Sequence, residues 1–288
     1  MRESDCRTQL NREADYELGN IVKTRYKLPP GYHRVSTEKG SFEDYLQTLP
    51  LKSEGYVTHL YDGSEKENKI ATSVIDMDID SINFHNDAVA VIRLRSEYLY
   101  HTGQYDKINF KFKDGFHCSY TKWAQGFRVR TEGEQSRWSK EKEGSDYSYD
   151  TFREYLRTVF LNVDEFSLAS EMRDAKEEEF GIGTVIFNSQ PPYNSAIVVD
   201  MLKRDTVSYG VDYGYDVVLI AQGGNPTQEI EIVQGNGDEL NLFKEDKKKM
   251  FFGYIFTTPN KGEKPLHSQG GKIFSGDKEY INKKLKNF

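Results

Sequence analysis

Residues able to do chemistry are scattered along this 288-residue chain instead of gathered into one motif. The six histidines, His33, His59, His85, His101, His117 and His267, show neither the i, i+4 pairing of a helical metal site nor a Cys/His ligand spacing, so no metal is expected. Asp76, Asp78 and Asp80 alternate along one side of a candidate strand and could offer oxygens to a hard cation. The glycine turn of a calcium loop is absent, however, and a solvated strand face accounts for them. Cys118 lies among Phe116, Tyr120 and Trp123, surroundings that favour the neutral thiol, and reads as a small buried hydrophobe in preference to a nucleophile. Gly181, Gly183, Gly223 and Gly224 make no dinucleotide fingerprint, because no parallel strand-turn-helix unit follows them, and no cofactor is expected. Asp87 stands apart. It lies in the first turn expected of a helix, where free N–H groups and the helix dipole converge and an anion or activated thiol is held. The plainer alternative is a carboxylate that only satisfies those N–H groups.

The element expected to position Asp87 runs through Ala71–Tyr100. Ile75, Met77 and Ile79 alternate with Asp76, Asp78 and Asp80, the period-two signature of a half-buried strand. Asp80, Ser81 and Asn83 are candidate N-caps for a helix whose run from Ala88 to Ile92 is apolar on nearly every face and so belongs in the core. Upstream, Pro29, Pro30 and Gly31 mark a turn in an extended segment. Ser41 is expected to cap a short helix carrying Phe42, Tyr45 and Leu46 that stops before Pro50, and the segment 56–61 alternates as a strand. Downstream come a strand at 108–112, an aromatic and basic stretch at 116–130, a polar loop at 136–150, and two amphipathic helices between Tyr149 and Met172. Strands are expected at 184–187, 195–202, 216–221, 229–233 and 250–257, forming an antiparallel meander packed on the central helix. That arrangement gives a flexible leader over 1–20 and a single α+β domain over 21–288, with an N-terminal α/β elaboration.

The totals set limits on function. Apolar residues make up 36% and charged residues 30%, yet 19 Tyr and 17 Phe supply enough buried area to argue against disorder. A net charge of −7 argues against nucleic-acid binding, which needs a surplus of Lys and Arg. Two cysteines, Cys6 and Cys118, are too few for a disulfide scaffold. No run is apolar enough for a membrane span, and the leader lacks the core of a signal peptide. A cytoplasmic location follows if Met1 is native, and a cell-envelope or secreted one if a leader was trimmed.

Several blocks together carry a family resemblance: LPPGYHRV near the start, GSFEDYLQTLPLK at 40–52, AVIRLRSEYL at 90–99, KWAQGFR at 122–128, FREYLRTVF at 152–160, PPYNSAIVVDM at 191–201 and LIAQGGNPTQEI at 219–230. In order and spacing they resemble a family of bacterial envelope lipoproteins and secreted proteins catalogued as domain of unknown function 4846. The family pattern places a cysteine at the start of the helix, a histidine opening the IVVD strand and a glutamine ending the next strand. That layout looks like the papain-like, NlpC-type cell-wall peptidases and amidases, in which a helix N-terminus lowers the thiol pKa and the histidine acts as base. The resemblance therefore implies a papain-like core, a central helix packed on an antiparallel sheet.

In this chain the cysteine position holds Asp87 and the histidine position Asn194, while Gln222 keeps the third position. A carboxylate at a helix start is a weak base and forms no thioester, and asparagine shuttles no proton. The resemblance then implies a catalytically degenerate pseudoenzyme whose cleft, with His85, Asn86, Tyr193 and Ser195 beside it, binds a peptide or peptidoglycan-like ligand. Two alternatives stay open: an active hydrolase rebuilt on His85 with Asp87 or on Ser195, and a purely structural interaction protein.

Overall fold

A computed structural model describes residues 19–26, 28, 32–67, 71–78, 80, 82–84, 88–174, 179–188, 194–204, 215–223, 229–235, 251–256, 271–272 and 282–283. The leader at 1–18 lies outside them. The architecture is mixed α+β, a curled antiparallel sheet with few helices.

In chain order the elements are α1 (Val22–Arg25), β1 (Tyr32–Arg34), α2 (Phe42–Gln47), β2 (Ser73–Val74), α3 (Val89–His101), β3 (Asn109–Lys111), β4 (His117–Ser119), α4 (Tyr120–Ala124), β5 (Phe127–Glu132) and β6 (Gln135–Lys140). Then follow α5 (Tyr149–Asn162), α6 (Glu165–Ser170), β7 (Met172–Asp174), β8 (Val185–Asn188), β9 (Asn194–Arg204), β10 (Tyr215–Gln222), β11 (Glu231–Gly235) and β12 (Phe251–Phe256). The main sheet runs β2-β11-β10-β9-β8-β12-β7, all antiparallel, and β1 joins β9 at its far end. β8 to β11 form the expected meander, but β12 and β7 extend it beyond β8 instead of beyond β11.

The helix starts follow local chemistry. The Ser41 side chain accepts from Asp44 N at the start of α2, Ser148 caps α5 through Thr151 N, and Asp164 with Ser167 makes a capping box on α6. α3 is buried on most of its surface, as its apolar run requires, with Ala90, Val91, Ile92 and Leu94 fully inaccessible. It begins later than expected. Val89 is its first residue and Ala88 its N-cap, and the candidate cap Asp80 instead takes Arg153 and Arg157 of α5.

Three further expectations are corrected. Among the described residues of the strand expected from Ile75 to Asp80, only an isolated bridge, Leu51 to Ile75, remains, although Asp76 and Asp78 are exposed as the alternation requires. The segment 56–61 is no strand, because its Tyr56 hydroxyl and the His59 backbone N–H are bound to the carboxylate of Glu229, two residues ahead of β11. The polar stretch after 135 is a strand: Gln135–Lys140 pairs with β5, and Trp138 packs against Phe116 and Phe127. Gly126 makes that hairpin possible. Its φ is +87°, and a Cβ there would lie 2.1 Å from the Lys142 carbonyl oxygen.

Candidate functional site

Three segments meet at one end of the main sheet. β10 ends at Gln222, which pairs with Ala196 of β9 and Glu231 of β11, while β9 opens two residues before Ala196, at Asn194. Gly223 follows, and a Cβ built on it would lie 2.9 Å from the Glu229 carbonyl oxygen and 3.5 Å from the Ala90 Cβ. The first turn of α3 thus lies against the end of β10, a closeness that a residue without a side chain permits.

The pleat sorts side chains onto two faces. Ile230 and Val89 share a cavity wall, so the face of Gly223 and Ile230 is the one that carries α3. Gln222 and its partner Glu231 alternate to the opposite face, and the strand position of Asn194 is in phase with Ala196 and Gln222. Ser195, one residue out of phase, pairs with Phe187 on the α3 side and is buried. His85, Asn86, Asp87 and Tyr193 lie outside the described residues, as does the side chain of Asn194.

On the α3 side a cavity opens at the helix start. Met77, Phe84, Val89, Phe160 and Ile230 form its apolar wall, and Asp78, Asp80 and Arg93 supply its polar groups. Arg93 is buried and gives Nε to Glu97 Oε1 at 2.5 Å, Nη2 to the Tyr149 hydroxyl at 3.1 Å and Nη1 to the Asp78 carbonyl at 3.1 Å. The Tyr149 hydroxyl in turn donates to Glu97 at 2.8 Å, and His101 Nε2 stands 3.3 Å from the other carboxylate oxygen. Burial alone would raise the Glu97 pKa, but Arg93, then His101 and Tyr149, outweigh it and hold the carboxylate below its ordinary range. Arg93 and Glu97 thus form a buried ion pair within α3. Arg95 lies over the rings of Phe42 and Tyr98.

The opposite face holds polar residues that the sequence did not single out. Glu229 accepts from the Tyr56 hydroxyl at 2.8 Å and from His59 N at 2.7 Å, and meets Lys52 Nζ at 3.0 Å. Glu231 takes Lys66 Nζ at 2.6 Å. Both carboxylates are almost inaccessible, so they fasten the 52–66 segment across the sheet. The alternation of Glu and Ile at 229–232 was the available signal, but a period of two does not say which face is solvated. Cys118 is fully buried, and burial pushes its thiol pKa far up, so it is no thiolate nucleophile.

A family model described as domain of unknown function (4846) matches residues 22–258. The chain belongs to that family. No curated protein and no solved structure matches this member of the 4846 family. Within its described residues no helix is long and apolar enough to cross a membrane, and no three metal-ligating side chains gather.

Proposed function

We propose that this member of the 4846 family is a binding protein with a catalytically degenerate, papain-like layout, and that it takes a peptide or cell-envelope component at the sheet end where α3 begins. The observation that carries the reading is the contact of Ala90 in the first turn of α3 with Gly223, next to Gln222 and near the start of β9. A cysteine hydrolase of this design needs a thiolate at the helix start and an imidazole on the strand, and the matching positions are Asp87 and Asn194. Neither residue performs those steps. Purified protein mixed with peptidoglycan fragments and dipeptide amides is expected to bind without turnover. Turnover abolished by Asp87→Ala would instead establish the active hydrolase.

A second reading, a structural interaction protein without a cleft, is favoured by the orientation of Gln222. Its side chain alternates to the face away from α3, across from Glu231. Gln222→Ala separates the two: the binding reading expects weaker ligand affinity, whereas the structural reading expects no change in any ligand titration.

A further inference from the structure

The hairpin of β5 and β6 is a two-stranded sheet of its own, and its two faces differ in charge. Cross-strand partners share a face, so Arg130 and Arg137 lie on one side, where they pair with Glu141 and Glu132. The other side carries three rungs: Phe127 with Lys140, Val129 with Trp138, and Thr131 with Ser136. Lys122 of α4 reaches the same side. Its Nζ stands 5.1 Å from the Phe127 ring centre and 5.4 Å from that of Trp138, and Lys140 Nζ is also 5.1 Å from the Phe127 ring centre. Two ammonium groups thus share one ring. Lys140 gives a hydrogen bond to the Gln125 carbonyl, but among the described residues neither lysine meets a carboxylate. Like charges held together without a counter-charge repel, and an anion placed against both relieves this.

The rest of that side is apolar and then polar. Phe116 stands 5.2 Å and Phe127 6.5 Å from the Trp138 ring, all three half-buried, so an aromatic strip follows the lysines. Beyond it Thr131 is exposed, and its hydroxyl has no partner among the described residues. Asp114, also exposed, accepts from the N–H groups of Phe116 and Ser136. A carboxylate has about four lone-pair sites, so Asp114 keeps acceptor capacity. The order along the hairpin is therefore cations, rings, acceptor.

We infer that this side of the hairpin binds an acidic glycan, with a sugar carboxylate against Lys122 and Lys140, a flat sugar face on Trp138 and Phe127, and neighbouring hydroxyls at Asp114 and Thr131. The three kinds of group select the class. An acidic peptide brings a carboxylate to the lysines but further negative charge to Asp114, and an anionic bilayer meets the exposed Glu132 and Glu134 at the hairpin turn. A nucleic acid is opposed by the net charge of −7. The surface belongs to a different sheet from Gln222, so the inference stands apart from the binding reading above.

Amide and indole N–H spectra of the full chain test this. The chain has two tryptophans and Trp123 is 5% exposed, so the indole N–H of Trp138 reports on this surface. A tetrasaccharide of alternating glucuronate and N-acetylglucosamine is expected to shift that signal. It should saturate at about one fifth of the concentration that the neutral chitin tetrasaccharide requires, the worth of one exposed ion pair. Lys122→Gln is expected to remove most of this difference, whereas Arg130→Gln, which takes the same charge from the opposite side, leaves it. Equal saturation by the two glycans would overturn the carboxylate contact, and equal losses from the two variants would overturn its placement. Hexaglutamate or phosphatidylglycerol vesicles that move the Trp138 signal at a lower concentration than the acidic glycan would overturn the glycan class. No shift of Trp138 with either glycan, while the amide spectrum shows the fold kept, would remove the inference and leave the sheet-end site untouched.

Discussion

Two glutamates respond to pH in opposite senses. Glu97, fully enclosed, is held below its ordinary pKa because Arg93 outweighs its desolvation. The stability it contributes is complete above the unfolded carboxylate pKa and is lost as pH falls through the lower folded value. Glu97→Gln strands the Arg93 guanidinium, and denaturant unfolding at neutral pH is expected to show a loss of about 3–5 kcal/mol, as for one partner of a buried pair. Glu171, at the end of α6, goes the other way: burial pushes its pKa up to about 8, more than Lys111 lowers it. A raised carboxylate pKa favours folding while both states are protonated, and that advantage is lost as pH rises from the unfolded value towards about 8. Glu171→Gln should remove this slope, so that the variant gains on the parent by at least about 1 kcal/mol between pH 5 and pH 8, one pKa unit being worth about 1.4 kcal/mol. Urea midpoints at the two pH values check it.

Among the elements, single polar side chains fasten segments that have little ladder of their own. Asp200 of β9 is inaccessible and receives Arg34 Nε of β1 at 2.7 Å and Gln47 Nε2 of α2 at 2.8 Å, so one carboxylate joins a strand, an edge strand and a helix. Burial raises its pKa, and Arg34 only partly offsets this. Glu229 does similar work for the 52–66 segment. Glu229→Gln weakens the contact with Lys52, and hydrogen exchange over 52–66 is expected to quicken severalfold while that of α3 stays unchanged. Gly126→Ala is expected to cost at least about 2 kcal/mol, the scale of forced overpacking with backbone strain, because its Cβ would meet the Lys142 carbonyl at 2.1 Å. Thermal unfolding of that variant measures it.

For the whole molecule, the family and the central buried helix were legible in the sequence, since the match covers residues 22–258 and α3 is enclosed as its apolar run requires. The capped start of α2 was legible too, because a serine oxygen accepting a nearby N–H is a local event. Local periodicity failed where a distant partner decided the outcome. Segment 56–61 alternates like a strand, yet Glu229, far along the chain, claims its polar groups. Residues 135–140 look like a loop until β5 gives them a ladder. The candidate site divides in the same way. Sequence alone placed Gln222 at the end of a strand and Asp87 near the start of a helix. Pairing of β10 with β11 put Gln222 on the face away from α3, and packing of Ala90 on Gly223 brought the helix start to that end of the sheet. Capping, patterning and composition act over a few residues and are written in the chain. The choice of face, and of which carboxylate meets which cation, depends on strands more than a hundred residues apart, and only the folded sheet decides it.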